Sequence, residues 1–375
     1  MAIYFVAKTG NDSNAGTSVS APKLTIDSAW LATSTGDSII ILDSETYAGG
    51  SNYELSNRNI TELTVQGDDG TYTNTTQNPT IDGETGAGWF MYVRGTSGSG
   101  WTFRNLKFIR FNSTAGEGIL RYGTGISQTL LIEDCEFSDS IGRTLALAGA
   151  TTLTLSRCKF FDINGVTSGD NGIVGFAAQN TNISTIKNCL FYNLGPRMAN
   201  GSFRVIGAGS RLNNSNSVVS HCTIAKRNTT VSNAATPTHL IDIGPGTVEH
   251  CLIYNFDVTD TSGATINGTS AATVRYNTYG STDITWSGSE GPLKGSGTET
   301  GNVLLTGDPG FVDYEKNDYR LTVAARSIAV DVSSGSTETV DITNTLRSEL
   351  DRLAYNSGLN DNGCYETSFW TPSPT

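Results

Sequence analysis

One six-residue pattern constrains this chain more than any other feature. It reads apolar, any, polar, Cys, any, apolar, and it holds five of the six cysteines. The copies are Ile132 to Phe137, Leu155 to Phe160, Ile186 to Phe191, Val219 to Ile224 and Val248 to Ile253. Phe103 to Phe108 precedes them with Leu106 at the Cys position, and Val274 to Tyr279 follows with Asn277 there. From Leu106 to Asn277 the spacings are 29, 23, 31, 33, 29 and 26 residues. A period that varies this much does not suit rigid helical repeats. It suits a coil of short strands whose connecting loops lengthen freely. Each repeat also holds two further apolar stretches, such as Leu145 to Leu147 and Leu153 to Leu155 before Cys158. Three short strands per turn, stacked in register about 4.8 Å apart, predict an all-β, single-stranded parallel β-helix with capped ends.

The pattern also predicts a corner. Its apolar positions lie three and then two residues apart, so strict alternation breaks once, at the residue before Cys. A left-handed backbone there turns all three apolar side chains inward. Asn, Asp and His are the non-glycine residues enriched in that conformation. The column reads Asn105, Asp134, Arg157, Asn188, His221, His250 and Tyr276. Cys135, Cys158, Cys189, Cys222 and Cys251 then stack as an inward column of buried thiols. Parallel side-chain vectors disfavour disulfides between them. Short Cys-x2-4-Cys spacing, the mark of a zinc site, is absent.

Charge excludes some partners. Lys+Arg is 24 and Asp+Glu is 36, a net charge of −12. Nucleic acid and anionic membrane both need a basic face, so neither is expected as a partner. No apolar run is long enough to span a bilayer. Met1 to Val6 lacks the basic and apolar regions of a secretory signal, so none is expected there.

Three segments carry a family resemblance. Tyr4 to Ser18, with Ala21-Pro22 and Gly36-Asp37-Ser38-Ile39, is similar to the opening of many secreted and phage-borne β-helix proteins. The Ile-x-Asn-Cys-x-Phe repeat is the second segment. The third is Gly307 to Asp313 with Asn317 to Leu321 and Asp361 to Glu366. Together they resemble the right-handed parallel β-helices of the pectin-lyase-like superfamily. The organisation expected is one domain: a cap over 1–38, coils over 39–301 with a loop excursion near 280–301, and a closing segment over 302–375. Thr25 to Thr33 is predicted as a short capping helix, because Ile26, Ala29 and Trp30 share a face. Thr345 to Leu353 is predicted as another, and the tail is expected to cover the far end.

Candidate chemistry falls in four places. Tyr92, Arg121, Ala146, Gly175, Arg204 and Asp242 read as one outward column on the first strand of each turn. The resemblance implies that glycan binds against this sheet, with Tyr92, Arg121, Arg204 and Asp242 as its contacts. Arg204 and Asp242 are the first catalytic candidates, and a cross-strand ion pair is the plainer reading. Asp139 and Asp162 are the second: on adjacent turns they suit a retaining glycosidase pair, a calcium site or a polar turn ladder. His221 and His250 read as a metal or acid–base pair, or simply as corner residues. His239 reads as a surface residue. Asn11 to Asn14 has spaced oxygens but lacks the later acid of an EF-hand, so Asx-turn chemistry accounts for it. No cofactor is expected, since no calcium motif is clear.

The resemblance implies a bacteriophage virion protein (a tail spike, fibre or capsid-surface protein) that contacts host glycan without turnover. It would be made in the host cytoplasm and sit among other virion proteins. The alternative is a secreted polysaccharide lyase or glycoside hydrolase with its signal removed. A homotrimer is expected, with Tyr92, Tyr122 and Trp101 as candidate outward contacts.

Overall fold

The computed structural model describes residues 1–48, 53–54, 60–84, 88–93, 99–112, 118–122, 128–147, 151–164, 171–176, 183–195, 203–207, 215–227, 239–254, 266–281, 293–294, 297–306, 311–313 and 318–321. Among these residues, three parallel sheets of eleven, nine and ten strands run side by side. Each full turn gives one strand to each sheet. Arg143–Leu147 enters the nine-stranded sheet, Thr151–Ser156 the eleven-stranded and Lys159–Phe161 the ten-stranded. The next turn lays Asn171–Phe176, Ser184–Lys187 and Leu190–Leu194 over them in register. The chain is an all-β parallel solenoid with three strands per turn.

The corner forms where the pattern places it. All seven predicted corner residues, from Asn105 to Tyr276, have φ between 52° and 55°. Each such residue reverses the inside–outside alternation, so Ile132, Cys135 and Phe137 all point inward and are at most 2% exposed. The corner side chains then lie one above the next. Arg157 donates to both oxygens of Asp134 at 2.8 Å. The His221 and His250 rings stack at 4.9 Å, and Tyr276 stacks on His250 at 5.4 Å. The histidine pair is a corner stack.

Inside, identical residues stack on identical residues. Phe108, Phe137, Phe160 and Phe191 form a ladder with centroid spacings of 4.9, 4.9 and 4.8 Å and planes within 10°. The five repeat cysteines are free and buried. The thiols of Cys158, Cys189, Cys222 and Cys251 each point at the carbonyl two residues back, at 3.2–3.4 Å. Burial pushes the Cys189, Cys222 and Cys251 thiols well above their ordinary value. Beyond Cys251 the column changes to asparagine. Asn277 accepts from the Cys251 N–H at 2.9 Å and donates to the Val248 carbonyl at 3.0 Å, so this buried amide is satisfied. Asn302 repeats the arrangement one turn on.

The N-terminal strand Ile3–Val6 already pairs with Asp37–Ile41, so the solenoid begins ahead of the helix. That helix spans Ile26–Ala32, within one residue of its predicted bounds at each end. Thr25 caps it by accepting from the Ser28 N–H at 3.1 Å, and Ile26, Ala29 and Trp30 are buried. Strands Leu293–Lys294 and Thr298–Thr300 add rungs within the segment read as an excursion.

Two expectations need correction. Trp101 is inward and 1% exposed, because it pairs with Leu130 and Leu63 and shares the parity of Phe103. It makes no outward contact. His239 is buried at 6% exposure. The described part of the C-terminal segment is an antiparallel pair, Phe311–Asp313 with Asp318–Leu321. It lies on the outer face of the ten-stranded sheet, where Phe311 and Tyr319 pack on Leu190, Ala225, Leu252 and Tyr254. This patch of the outer face is apolar and needs cover. The predicted helix from Thr345 and the side chain of Tyr122 lie outside the described residues.

Two outcomes follow from this core. In native protein the five column cysteines should resist a thiol reagent on the time scale in which denatured protein reacts fully. Rapid native labelling at any of them, read by peptide mass spectrometry, would contradict the buried column. Phe160→Ala should cost about 3–5 kcal/mol by urea denaturation, because it opens a cavity between two stacked rings. A loss under about 1 kcal/mol would mean the ladder collapses onto the gap.

Candidate functional site

The outer face of the nine-stranded sheet holds the first candidate site. Tyr92, Arg121, Ala146 and Gly175 are aligned in register on successive turns. Arg121 lies over the Tyr92 ring at 4.4 Å and over Trp89 at 5.8 Å. Tyr92 is consequently only 7% exposed. The face it was expected to offer a sugar is taken by a guanidinium, held by cation–π attraction.

Arg204 does not continue this column. It pairs with Gly172, three residues before Gly175 on that strand, and the column runs on through Gly207 to Asp242 and Asn267. Gly207, at φ 103°, leaves the space Asp242 occupies: a Cβ there would lie 2.7 Å from the Asp242 Cβ. The expected ion pair still forms, because Arg204 reaches across to the next turn and binds Asp242. Asn267 Nδ2 donates to the same carboxylate at 2.6 Å. The Asp242 side chain is 4% exposed and that of Arg204 17%. The pair is well buried and tightly held.

Arg143 is part of this face, and sequence reasoning missed it. It pairs with Gly118 and stands level with Gly172. Its side chain lies over Gly175, where an added Cβ would sit 3.1 Å from the arginine Cδ and 3.3 Å from Nε. The signal was present in Gly172 and Gly175, which clear a lane on the outer face.

The other candidates lie away from this face. Asp139 and Asp162 are left-handed corner residues after the strands of the ten-stranded sheet, with φ 47° and 51°. Asn193 donates to Asp162, and Arg110 is ion-paired with Asp82 on the same side of the coil. These form a polar turn ladder on a different sheet from Arg204 and Asp242. In the loop Asn11 to Asn14, Asp12 accepts from the N–H groups of Leu24 and Thr25 at 3.0 and 2.9 Å. That carboxylate ties the loop to the helix start. Among the described residues no group of three His, Cys, Asp or Glu side chains is arranged to hold a metal ion.

With turn, corner and sheet in place, the molecule is a parallel β-helix with three strands per turn. Residues 91–231 match the family described as the right handed beta helix region. The fold is similar to the crystal structure of a pectate lyase at TM-score 0.53 and 14% identity, over 98% of this chain and 97% of that one. A rhamnogalacturonan lyase is similar at TM-score 0.46 and 14% identity, over 97% and 96%. No curated protein matches the sequence significantly. At these identities the likeness describes the fold.

The turn ladder has a pH consequence. The Arg110 guanidinium bonded to Asp82 holds that carboxyl below the usual carboxylate range. Its stabilisation is complete above the unfolded value of about 4 and is lost as pH falls through the lower folded value. Asp82→Asn should therefore flatten the decline of the melting temperature below about pH 4. An unchanged acid limb would show that the pair adds nothing to stability.

Proposed function

We propose that the outer face of the nine-stranded sheet binds polysaccharide and holds it without cleaving it, as a virion protein does on host-surface glycan. The observation that carries this is the Arg204–Asp242 pair. A glycosidase needs a carboxyl free to exchange a proton and a second one at defined separation. Asp242 is instead committed to Arg204 and Asn267. What remains on the face suits binding: a guanidinium stacked over Tyr92, another lying over Gly175, and a floor of small residues. Planar donors of this kind bond sugar hydroxyls and carboxylates in fixed geometry. Placement on a virion is part of the same proposal and rests on the resemblance of Tyr4 to Ser18 to phage-borne openings.

The test measures binding and release of reducing ends on a panel of bacterial, algal and pectic polysaccharides. Arg121→Ala, with the fold intact by circular dichroism, should weaken binding by about tenfold, and no reducing ends should appear. Cleavage that falls by about 10²-fold or more in Arg204→Ala or Asp242→Ala would make the protein an enzyme and overturn the non-catalytic half. Unchanged binding in both Arg121→Ala and Arg143→Ala would remove this face altogether.

A further inference from the structure

We propose that the buried cysteine column binds soft, two-coordinate divalent cations, of which mercuric ion is the type, each between two neighbouring thiols. The proposal goes beyond the glycan-binding reading and concerns the interior of the coil. The column repeats its local geometry from turn to turn. The thiols of Cys135, Cys158, Cys189, Cys222 and Cys251 lie 3.2–3.4 Å from the carbonyl two residues back. The last four also lie 3.7–3.8 Å from a carbonyl of the turn before. Side chains placed identically on successive turns are separated by the rung translation. The phenylalanine ladder, two residues further along each turn, has that translation at 4.8–4.9 Å. Neighbouring sulfurs are therefore about 4.8 Å apart. Each thiol interacts with the next along the column.

That gap suits one class of ion. Half of it is about 2.4 Å, a metal–thiolate bond length, so an ion midway reaches both sulfurs without moving either turn. Tetrahedral zinc needs four donors, and each midpoint has two sulfurs. Thiolate ligands select soft cations, and a coordinated thiol gives up its proton. Charge decides among such cations. The column is packed among apolar side chains such as Ile132, Phe137, Leu155 and Phe160, where an unbalanced charge is costly. A divalent ion on two thiolates is neutral. As it forms, two S–H bonds break, two metal–sulfur bonds form, and two protons leave to water. A monovalent ion on two thiolates would leave a negative charge in the core. A linear ion takes two ligands, which separates this column from the three-ligand clusters absent among the described residues.

Register limits the number of ions. A thiolate that bridges two metals bonds them at an angle, whereas ions above and below a column sulfur would lie in one line. Each sulfur therefore serves one ion. Five thiols make two separate neighbouring pairs, with one thiol left over.

The test counts bound mercury by native mass spectrometry. Protein is incubated with mercuric ion until the count is constant, because the buried column loads only as turns open locally. A wash with excess glutathione then draws off ion held by a single sulfur. Cys364, which lies outside the described residues, is replaced by alanine throughout. Two ions per chain should remain, with about two protons released per ion in unbuffered solution. Cys189→Ala leaves Cys135 beside Cys158 and Cys222 beside Cys251, so it should still hold two. Cys158→Ala isolates Cys135 and should hold one. Cys158→Ala combined with Cys222→Ala leaves no neighbours and should hold none. Circular dichroism checks each fold, and valine takes the place of alanine in any variant that does not fold. Any other count in the unsubstituted column, whether none or one per thiol, would overturn the pairing. Equal counts in Cys189→Ala and Cys158→Ala would overturn it as well, because binding would then follow the number of cysteines and not their adjacency.

Discussion

A left-handed residue one position before an inward side chain sets the geometry of the regular turns. Seven such residues follow one another from Asn105 to Tyr276, all near φ 54°. Left-handed geometry costs a non-glycine residue about 1–2 kcal/mol, so each corner must be compensated by what it allows. It allows Ile, Cys and Phe to enter the core together, and it places each corner directly beneath the next. Stacking then supplies the return. Phenylalanine lies on phenylalanine at the rung spacing, and aromatic pairs of this kind contribute about 0.5–1.5 kcal/mol beyond burial. Asn277 shows the same logic in polar form, bonding one turn to the next through backbone groups.

The interior is committed to this stacking, so the turns differ mainly at outward positions, whose spacing is inherited from the rungs. A side chain that faces outward on one strand has neighbours about 4.8 Å away on the turns before and after. This makes the surface a ruler. At one outward position of the nine-stranded sheet Gly118, Arg143, Gly172 and Arg204 alternate on successive turns, and each glycine leaves room beside an arginine. On the later turns of the ten-stranded sheet the outward residues Leu190, Ala225, Leu252 and Tyr254 are instead apolar, and Phe311 and Tyr319 close over them.

The corner column, the buried cysteines and the capping helix were legible because each depends on near neighbours in the chain. A broken alternation of apolar residues implies a reversal wherever the turn lies, and Thr25 caps a helix by reaching only to Ser28. The Arg204–Asp242 pair was legible for a different reason: both residues are polar in otherwise apolar strands, and opposite charges one turn apart find each other.

The register of the nine-stranded sheet was decided only by the tertiary structure. Loops of unequal length precede its strands, and counting along the sequence gives parity but not the partner. Arg204 therefore read as level with Gly175 when it stands level with Gly172. The same limit hid Arg143, whose importance comes from lying over a glycine of the next turn, 29 or more residues away. The C-terminal pair was likewise beyond reach, since Phe311 and Tyr319 pack on side chains from turns that begin as early as Leu190. Local backbone preference determined how each turn bends. Which side chains meet across turns depended on how the turns settled against one another, because in-register stacking is a property of the assembled coil.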